Sequence, residues 1–366
     1  MNETTSIQFL GQRKLSSVAD CIGATPLVRL NRVPASLGIK AEVYAKLEYL
    51  NPGGSVKDRI AKQMVDKAEQ EGKIKPGDTL IEASQWQHVG LKINIHLAFM
   101  TERVRVNIMA SQHSGIAIAL IAGIKGYKCI ITLSEKIFLE KEQILHALGA
   151  QVVRTPAGVP SESPESFINV ARRLQTEIQD SYILNQYSNP ENPAAHQFGT
   201  AEELWYQTGG NLDVLVSGAG TGGTITGTSR GLKNHSPHIF VVGVDPIGSV
   251  LAQPGSLNQL NNEYNVEGIG GDFVPDVLDQ AEPDLWIKTS DRDCFRFVRR
   301  LVREEGLLCG GSAGATIAAL VQLPEQHPEL DVEGKTIVVI LPDGLRNYLT
   351  KFANDTWMEW QGYASV

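Results

Sequence analysis

Asn51-Pro52-Gly53-Gly54-Ser55-Val56-Lys57-Asp58-Arg59 is the stretch on which the reading of this chain turns. Pro-Gly-Gly is turn chemistry and Ser55 is a good N-cap residue, so the segment predicts a turn entering a helix over 55–71. Lys57 then faces the positive end of the helix dipole, which favours its neutral amine. A neutral amine is what Schiff-base chemistry needs. A solvated helix start would carry the same Lys-Asp-Arg run, and only the rest of the chain decides between the two.

At 366 residues the chain is too long for one simple core, so two lobes are expected. The 35 glycines predict tight turns or backbone brought close to a ligand. A net charge of −8 argues against a nucleic-acid surface, and no nucleic-acid partner is expected. Cys21, Cys129, Cys294 and Cys309 lie far apart with no CxxC pair. Neither disulfides nor a zinc site follow, as suits a reducing compartment. The first six residues hold no apolar signal core, and no apolar run reaches membrane-spanning length. A cytoplasmic protein with no membrane partner is the expectation.

Strand candidates at 42–47, 78–82, 127–133, 150–154, 212–217, 239–245 and 336–341 alternate with helical patterns. The helix candidates are 55–71, 115–125, 136–148, 164–177, 193–208, 223–233, 291–305 and 312–322. Such alternation predicts an α/β fold of βαβ units and mostly parallel sheet, with ligands bound beyond the C-terminal strand ends.

Leu212–Val216 reads as a buried strand running into Ser217-Gly-Ala-Gly220-Thr221-Gly222-Gly223-Thr224 and then a helix. Strand, glycine loop and helix come in the order that binds a phosphate on free N–H groups at a helix start. The bland alternative is a tight turn with no ligand. Gly218, Gly220 and Gly223 also fit the GxGxxG dinucleotide pattern, with Asp245 about 20 residues on as the ribose acid. A nicotinamide oxidoreductase is therefore a rival, though it leaves Lys57 without a task.

With Gly310-Gly-Ser312-Ala-Gly314, the Lys57 segment and the glycine loop resemble the β-family (fold type II) of pyridoxal-phosphate enzymes, the cysteine synthase and cystathionine β-synthase family. Further matches in chain order include Ile22–Val28, Ala147–Thr155, Ser163–Ser166, Leu184–Tyr187, Val266–Gly270, Glu305–Cys309 and Arg346–Lys351. The resemblance implies two open, mostly parallel twisted sheets with flanking helices, as in the tryptophan synthase β fold. It implies a larger cofactor-phosphate lobe from 1–45 and 156–366, and a smaller lobe from 46–155 with an atypical insert at about 85–110. Lys57 corresponds to the catalytic lysine that holds pyridoxal phosphate and takes the substrate's α-proton. Gly220, Thr221, Gly222, Gly223 and Thr224 correspond to the phosphate cradle. Ser312 corresponds to the hydroxyl facing the pyridine nitrogen, and could also be a helix N-cap. A serine cannot keep that nitrogen protonated as an acid would, so loss of a β-substituent is favoured over transamination. Gln186 corresponds to the glutamine near the substrate carboxylate. The implied reaction is β-replacement on serine or O-acetylserine, with sulfide or homocysteine as acceptor, giving cysteine or cystathionine. A homodimer is implied as well.

One segment departs from the pattern. The family places Ser-Gly-Asn-Thr-Gly after a strand like Ile81-Glu82-Ala83-Ser84 and before a helix like Gly115–Ala119. Here residues 83–114 intervene, far more than that pattern needs. The best local match is Ser111-Gln112-His113-Ser114-Gly115. It puts His113 in the cofactor-binding place of the asparagine, Ser111 and Ser114 at the substrate, and Gln112 where glycine belongs. Three readings stay open: a surface excursion with a reshaped carboxylate site, a pseudoenzyme acting as a ligand sensor or interaction module, or mis-spliced coding sequence. Impaired turnover by this chain is the expectation. His88, His96 and His113 show no ligand spacing, so no metal is expected. About 16 residues precede the matching region, with neither Cys nor His among them, so no haem is expected. The chain runs only a few residues past Trp357, so no C-terminal regulatory module is expected. Asp272 and Ser163–Ser166 lean towards cystathionine β-synthase; Gly271, where that enzyme carries a tyrosine, leans towards cysteine synthase.

Overall fold

The computed structural model describes residues 14–83, 112–134, 139–156, 159, 163–259 and 263–363. Among the described residues ten strands lie in chain order: β1 Leu27–Arg29, β2 Glu42–Leu47, β3 Thr79–Ala83, β4 Lys128–Ser134, β5 Gln151–Thr155, β6 Ser181–Ile183, β7 Val214–Gly218, β8 Phe240–Pro246, β9 Leu285–Thr289 and β10 Thr336–Leu341. They form two sheets. The larger has the order β1-β2-β10-β7-β8-β9, and the smaller β5-β4-β3-β6. Only the β1–β2 pairing is antiparallel; every other pairing of these strands is parallel. This is the α/β architecture of two mostly parallel sheets expected from the sequence.

The apolar runs of the strands are continuous because both faces of a parallel sheet are covered. In β7, β8 and β10, Val214, Val216, Val242, Val244, Ile337 and Val339 feed the core on one face. Their neighbours Leu215, Val241, Val338 and Ile340 feed the core on the other. The smaller sheet divides likewise, with Leu80, Cys129 and Ile131 on one side and Ile81 and Ile130 on the other. Helix Lys57–Gln70 buries Ile60, Ala61, Met64, Val65 and Ala68, a three- and four-residue rhythm that presents one apolar face. The helix Gly311–Gln326 is buried along most of its length against β7, β8, β9 and β10.

A buried ionic cluster fastens the Lys57 helix to its surroundings. The Arg59 guanidinium donates to Glu48 at 2.6 Å and to Glu203 at 2.6 Å. Lys46 of β2 reaches the same Glu203 at 2.6 Å. Burial would raise the Glu48 carboxyl, but Arg59 overrides it and holds the group at about 2. Among the described residues no helix is long and apolar enough to cross a membrane, and no group of three or more His, Cys, Asp or Glu is placed to hold a metal.

Candidate active site

The C-terminal ends of β7 and β10 and the start of the Lys57 helix converge on one pocket. Lys57, His113, Gly220, Thr221, Gly222, Thr224 and Ser312 all line it, with Gly268 and Ile269 as a further wall. Residues expected from separate motifs thus meet in space.

Lys57 is the first residue of its helix, and the residue before it is Val56, which makes no side-chain cap. The expected N-cap role of Ser55 is therefore corrected by one position: its Oγ still accepts from the Lys57 N–H at 3.2 Å, as a short turn bond. Lys57 is 8% exposed, and burial brings its amine down to about 8. A charged amine is penalised there, so the pocket favours the neutral nucleophile.

The glycine loop turns where a side chain could not follow. Gly222, the N-cap of helix Gly223–His235, lies at φ +89°. A Cβ on Gly220 would come within 2.7 Å of the Gly268 carbonyl. Gly223 does not line the pocket, and a Cβ there would strike the Asn192 side chain. The first N–H groups of that helix have no intrahelical acceptor and point out of its N-terminus. Thr224 Oγ1 lies 3.2 Å from Nε2 of His196, a ring that burial holds neutral by bringing its pKa down to about 3.

Ser312 is the second residue of its helix, whose N-cap is Gly310. The alternative reading of Ser312 as a cap is thereby corrected. Its Oγ is buried and has no partner among the described residues. A buried hydroxyl without a partner is costly, and one aimed into a pocket is matched by a ligand acceptor or donor.

His113 is the second residue of the helix Gln112–Lys125 and is buried. Its Nε2 lies 3.0 Å from Asp343 Oδ2 and 3.0 Å from the Asn347 amide. Burial lowers the imidazole pKa despite that carboxylate. Ser114 Oγ donates to Gln186 Oε1 at 2.6 Å, so these two expected substrate residues are joined directly. Ser111 lies outside the described residues, as do residues 84–110 with the expected insert, His88 and His96.

Two residues that the sequence reading missed tie the parts together. Asn192 Nδ2 donates to the Gln186 carbonyl at 2.8 Å and to Thr221 Oγ1 at 3.0 Å, bridging the glycine loop and the Gln186 segment. Asp343, just past β10, holds His113 and accepts from the Tyr348 hydroxyl. Neither sits in a local motif; an Asn inside Asn189-Pro-Glu-Asn-Pro193 reads as turn chemistry and nothing more.

A desolvated amine with a lowered pKa, an anion cradle at a helix start and an orphaned hydroxyl fit a ligand with an aldehyde, a phosphate and a ring nitrogen. They define a pyridoxal-phosphate site. The chain matches the family described as pyridoxal-phosphate dependent enzyme over residues 18–89 and 105–343, and it belongs to that family. It is 48% identical over 352 residues to cystathionine beta-synthase of Apis mellifera, covering 95% of this chain and 63% of that protein. It is 47% identical over 350 residues to cystathionine beta-synthase of Saccharomyces cerevisiae, covering 94% of this chain and 64% of that one. The chain thus spans about six-tenths of the length of these curated relatives. Among solved structures it is similar to O-ureido-L-serine synthase, crystallised as a lysine-to-alanine mutant bound to O-ureido-L-serine. That likeness has a TM-score of 0.76 and 31% identity, over 93% of this chain and 94% of that one. The nicotinamide reading is not favoured. Asp245, its ribose acid, is fully buried and occupied by Lys288 Nζ at 2.7 Å and the Ala252 N–H at 3.0 Å.

Proposed function

We propose that this chain performs β-replacement on serine or O-acetylserine with a sulfur nucleophile. The observation that carries the proposal is the convergence of the desolvated Lys57 amine, the Gly220–Thr224 loop and the unpartnered Ser312 hydroxyl on one pocket. Pyridoxal phosphate, when bound, supplies the electron sink that lets an amino acid lose its α-proton and then its β-substituent. Lys57 takes the α-proton and returns it at the end. Gly220, Thr221, Gly222, Gly223 and Thr224 would hold the phosphate with backbone N–H groups and the threonine hydroxyls. Ser312 would offer its hydroxyl to the ring nitrogen, and a serine cannot keep that nitrogen protonated, which favours β-loss over transamination. His113, fixed by Asp343, takes the asparagine's place beside the cofactor. Ser114 and Gln186 receive the substrate carboxylate, and Ser111 joins them by sequence position.

Homocysteine, giving cystathionine, is the favoured acceptor, in keeping with the name of the curated relatives; sulfide, giving cysteine, is the other. The test is product identification by mass spectrometry after mixing the cofactor-loaded protein with serine and homocysteine, or with O-acetylserine and sulfide. Cystathionine or cysteine should form, and Lys57→Ala should cost about a hundredfold or more. A protein that holds the cofactor and forms neither product would overturn the proposal and support the pseudoenzyme alternative.

The same proposal divides the chain into a larger lobe of 1–45 with 156–366 and a smaller lobe of 46–155; the pairing of β6, residues 181–183, with β3 argues for counting that strand with the smaller lobe. A cytoplasmic homodimer is part of the same proposal, and light scattering of the purified chain tests its assembly.

A further inference from the structure

Glu82 is a buried carboxyl that the proposed reaction leaves without a task. It is the fourth residue of β3 and 1% exposed. Parallel pairing sets Ile81 opposite Ile183, so Glu82 stands beside the chain as it leaves the C-terminal end of β6. There the Asn185 N–H donates to Glu82 Oε2 at 3.2 Å. Asn185 lies at φ +53°, the left-handed region that asparagine tolerates better than most residues. The turn is closed from the other side too. Asn185 Nδ2 donates to Ser188 Oγ at 2.6 Å, and its carbonyl accepts from the Ser188 and Asn189 N–H groups.

The residue after Asn185, inside this turn, is Gln186, fully buried and bound to the Ser114 hydroxyl. Burial pushes the Glu82 carboxyl up to about 7, and the backbone of Gln186 and Asn185 and the Gln186 side chain pull it back. Among the described residues the hydrogen bond to the Glu82 carboxylate comes from the Asn185 N–H, in the segment that carries Gln186.

From this geometry we infer that Glu82 is a positioning residue of the amino-acid site: as a hydrogen-bond acceptor it holds the left-handed turn at Asn185, and through that turn it sets Gln186 and Ser114 where the substrate carboxylate docks. The inference rests on the role proposed for Gln186 and Ser114. It assigns Glu82 no contact with substrate or cofactor.

Three variants in the cofactor-loaded full chain test it. Glu82→Val removes the acceptor while keeping a buried strand residue. It should raise KM for the amino-acid substrate about tenfold, with kcat within about threefold and the cofactor's visible band unchanged. Glu82→Gln restores an acceptor oxygen and should recover most of that loss, to within about threefold of the parent. Gln186→Ala should itself raise KM. If Gln186→Ala leaves KM unchanged, the reading of the site is wrong. If Gln186→Ala raises KM and Glu82→Val does not, the site stands and the inference about Glu82 is overturned. A Glu82→Gln as impaired as Glu82→Val overturns the acceptor role, and loss of the cofactor band with Glu82→Val shows a merely structural one. Should Glu82→Val not fold, Asn185→Ala disturbs the same turn from the exposed side. It should raise KM several-fold with kcat kept, and an unchanged KM there overturns the inference as well.

Discussion

At Lys57 the consequence of burial can be read as a stability difference. The amine titrates at about 8 in the folded chain against 10.5 for the ordinary group. Below pH 8 it is charged in both folded and unfolded chains, and the folded chain bears the full cost of burying it. Between pH 8 and 10.5 the unfolded chain binds more protons, so rising pH stabilises the fold. Lys57→Met in cofactor-free protein should thus raise the unfolding free energy by about 3 kcal/mol at pH 7. That gain should shrink steadily above pH 8, as urea unfolding at several pH values would show. An equal gain at pH 7 and pH 10.5 would count against a desolvated amine. Lys57, the glycine loop and Ser312 were legible in the sequence because each lies in a short contiguous motif with its own local chemistry. Asn192 and Asp343 were not, because their partners lie 29 and 230 residues away or are set by the packing of distant elements.

Among the elements, close backbone approach sets the tolerance of the fold. Helix Gly311–Gln326 crosses helix Asp291–Glu305 at Gly314, where a Cβ would fall 1.9 Å from the Cys294 carbonyl oxygen and 2.7 Å from the Val298 nitrogen. Gly314→Ala must push the two helices apart and should cost about 1–3 kcal/mol, seen as a lower urea midpoint with an unchanged slope. The helix ends bearing Ser312 would move with it. All seven strand candidates appear as strands, within two residues at their ends. β1 and β6 escaped the sequence reading because a three-residue strand has no periodicity to read. β9 escaped because Lys288 interrupts its apolar run; only the fold shows that Asp245 neutralises that lysine. The start of the Lys57 helix was misplaced by two residues because Ser55 can bond the Lys57 N–H without being a cap.

Over the whole molecule, the Lys46–Glu203–Arg59–Glu48 cluster joins the first sheet, the Lys57 helix and the helix Ala201–Gln207. Removing one partner of a buried set strands the others. Arg59→Met should cost about 3–5 kcal/mol and loosen the start of the Lys57 helix, lowering thermal stability and cofactor retention together. A variant as stable as the parent would show that the cluster is solvated. Cofactor binding works in the opposite direction, adding about 2.7 kcal/mol at a hundredfold excess over Kd. The central claim, that Lys57 is the residue to which pyridoxal phosphate attaches, is tested most directly by borohydride reduction of the loaded protein followed by peptide mass spectrometry. The account predicts one reduced pyridoxyl-phosphate adduct, on Lys57. An adduct on another lysine, or none in a protein that shows the cofactor's visible band, would contradict it.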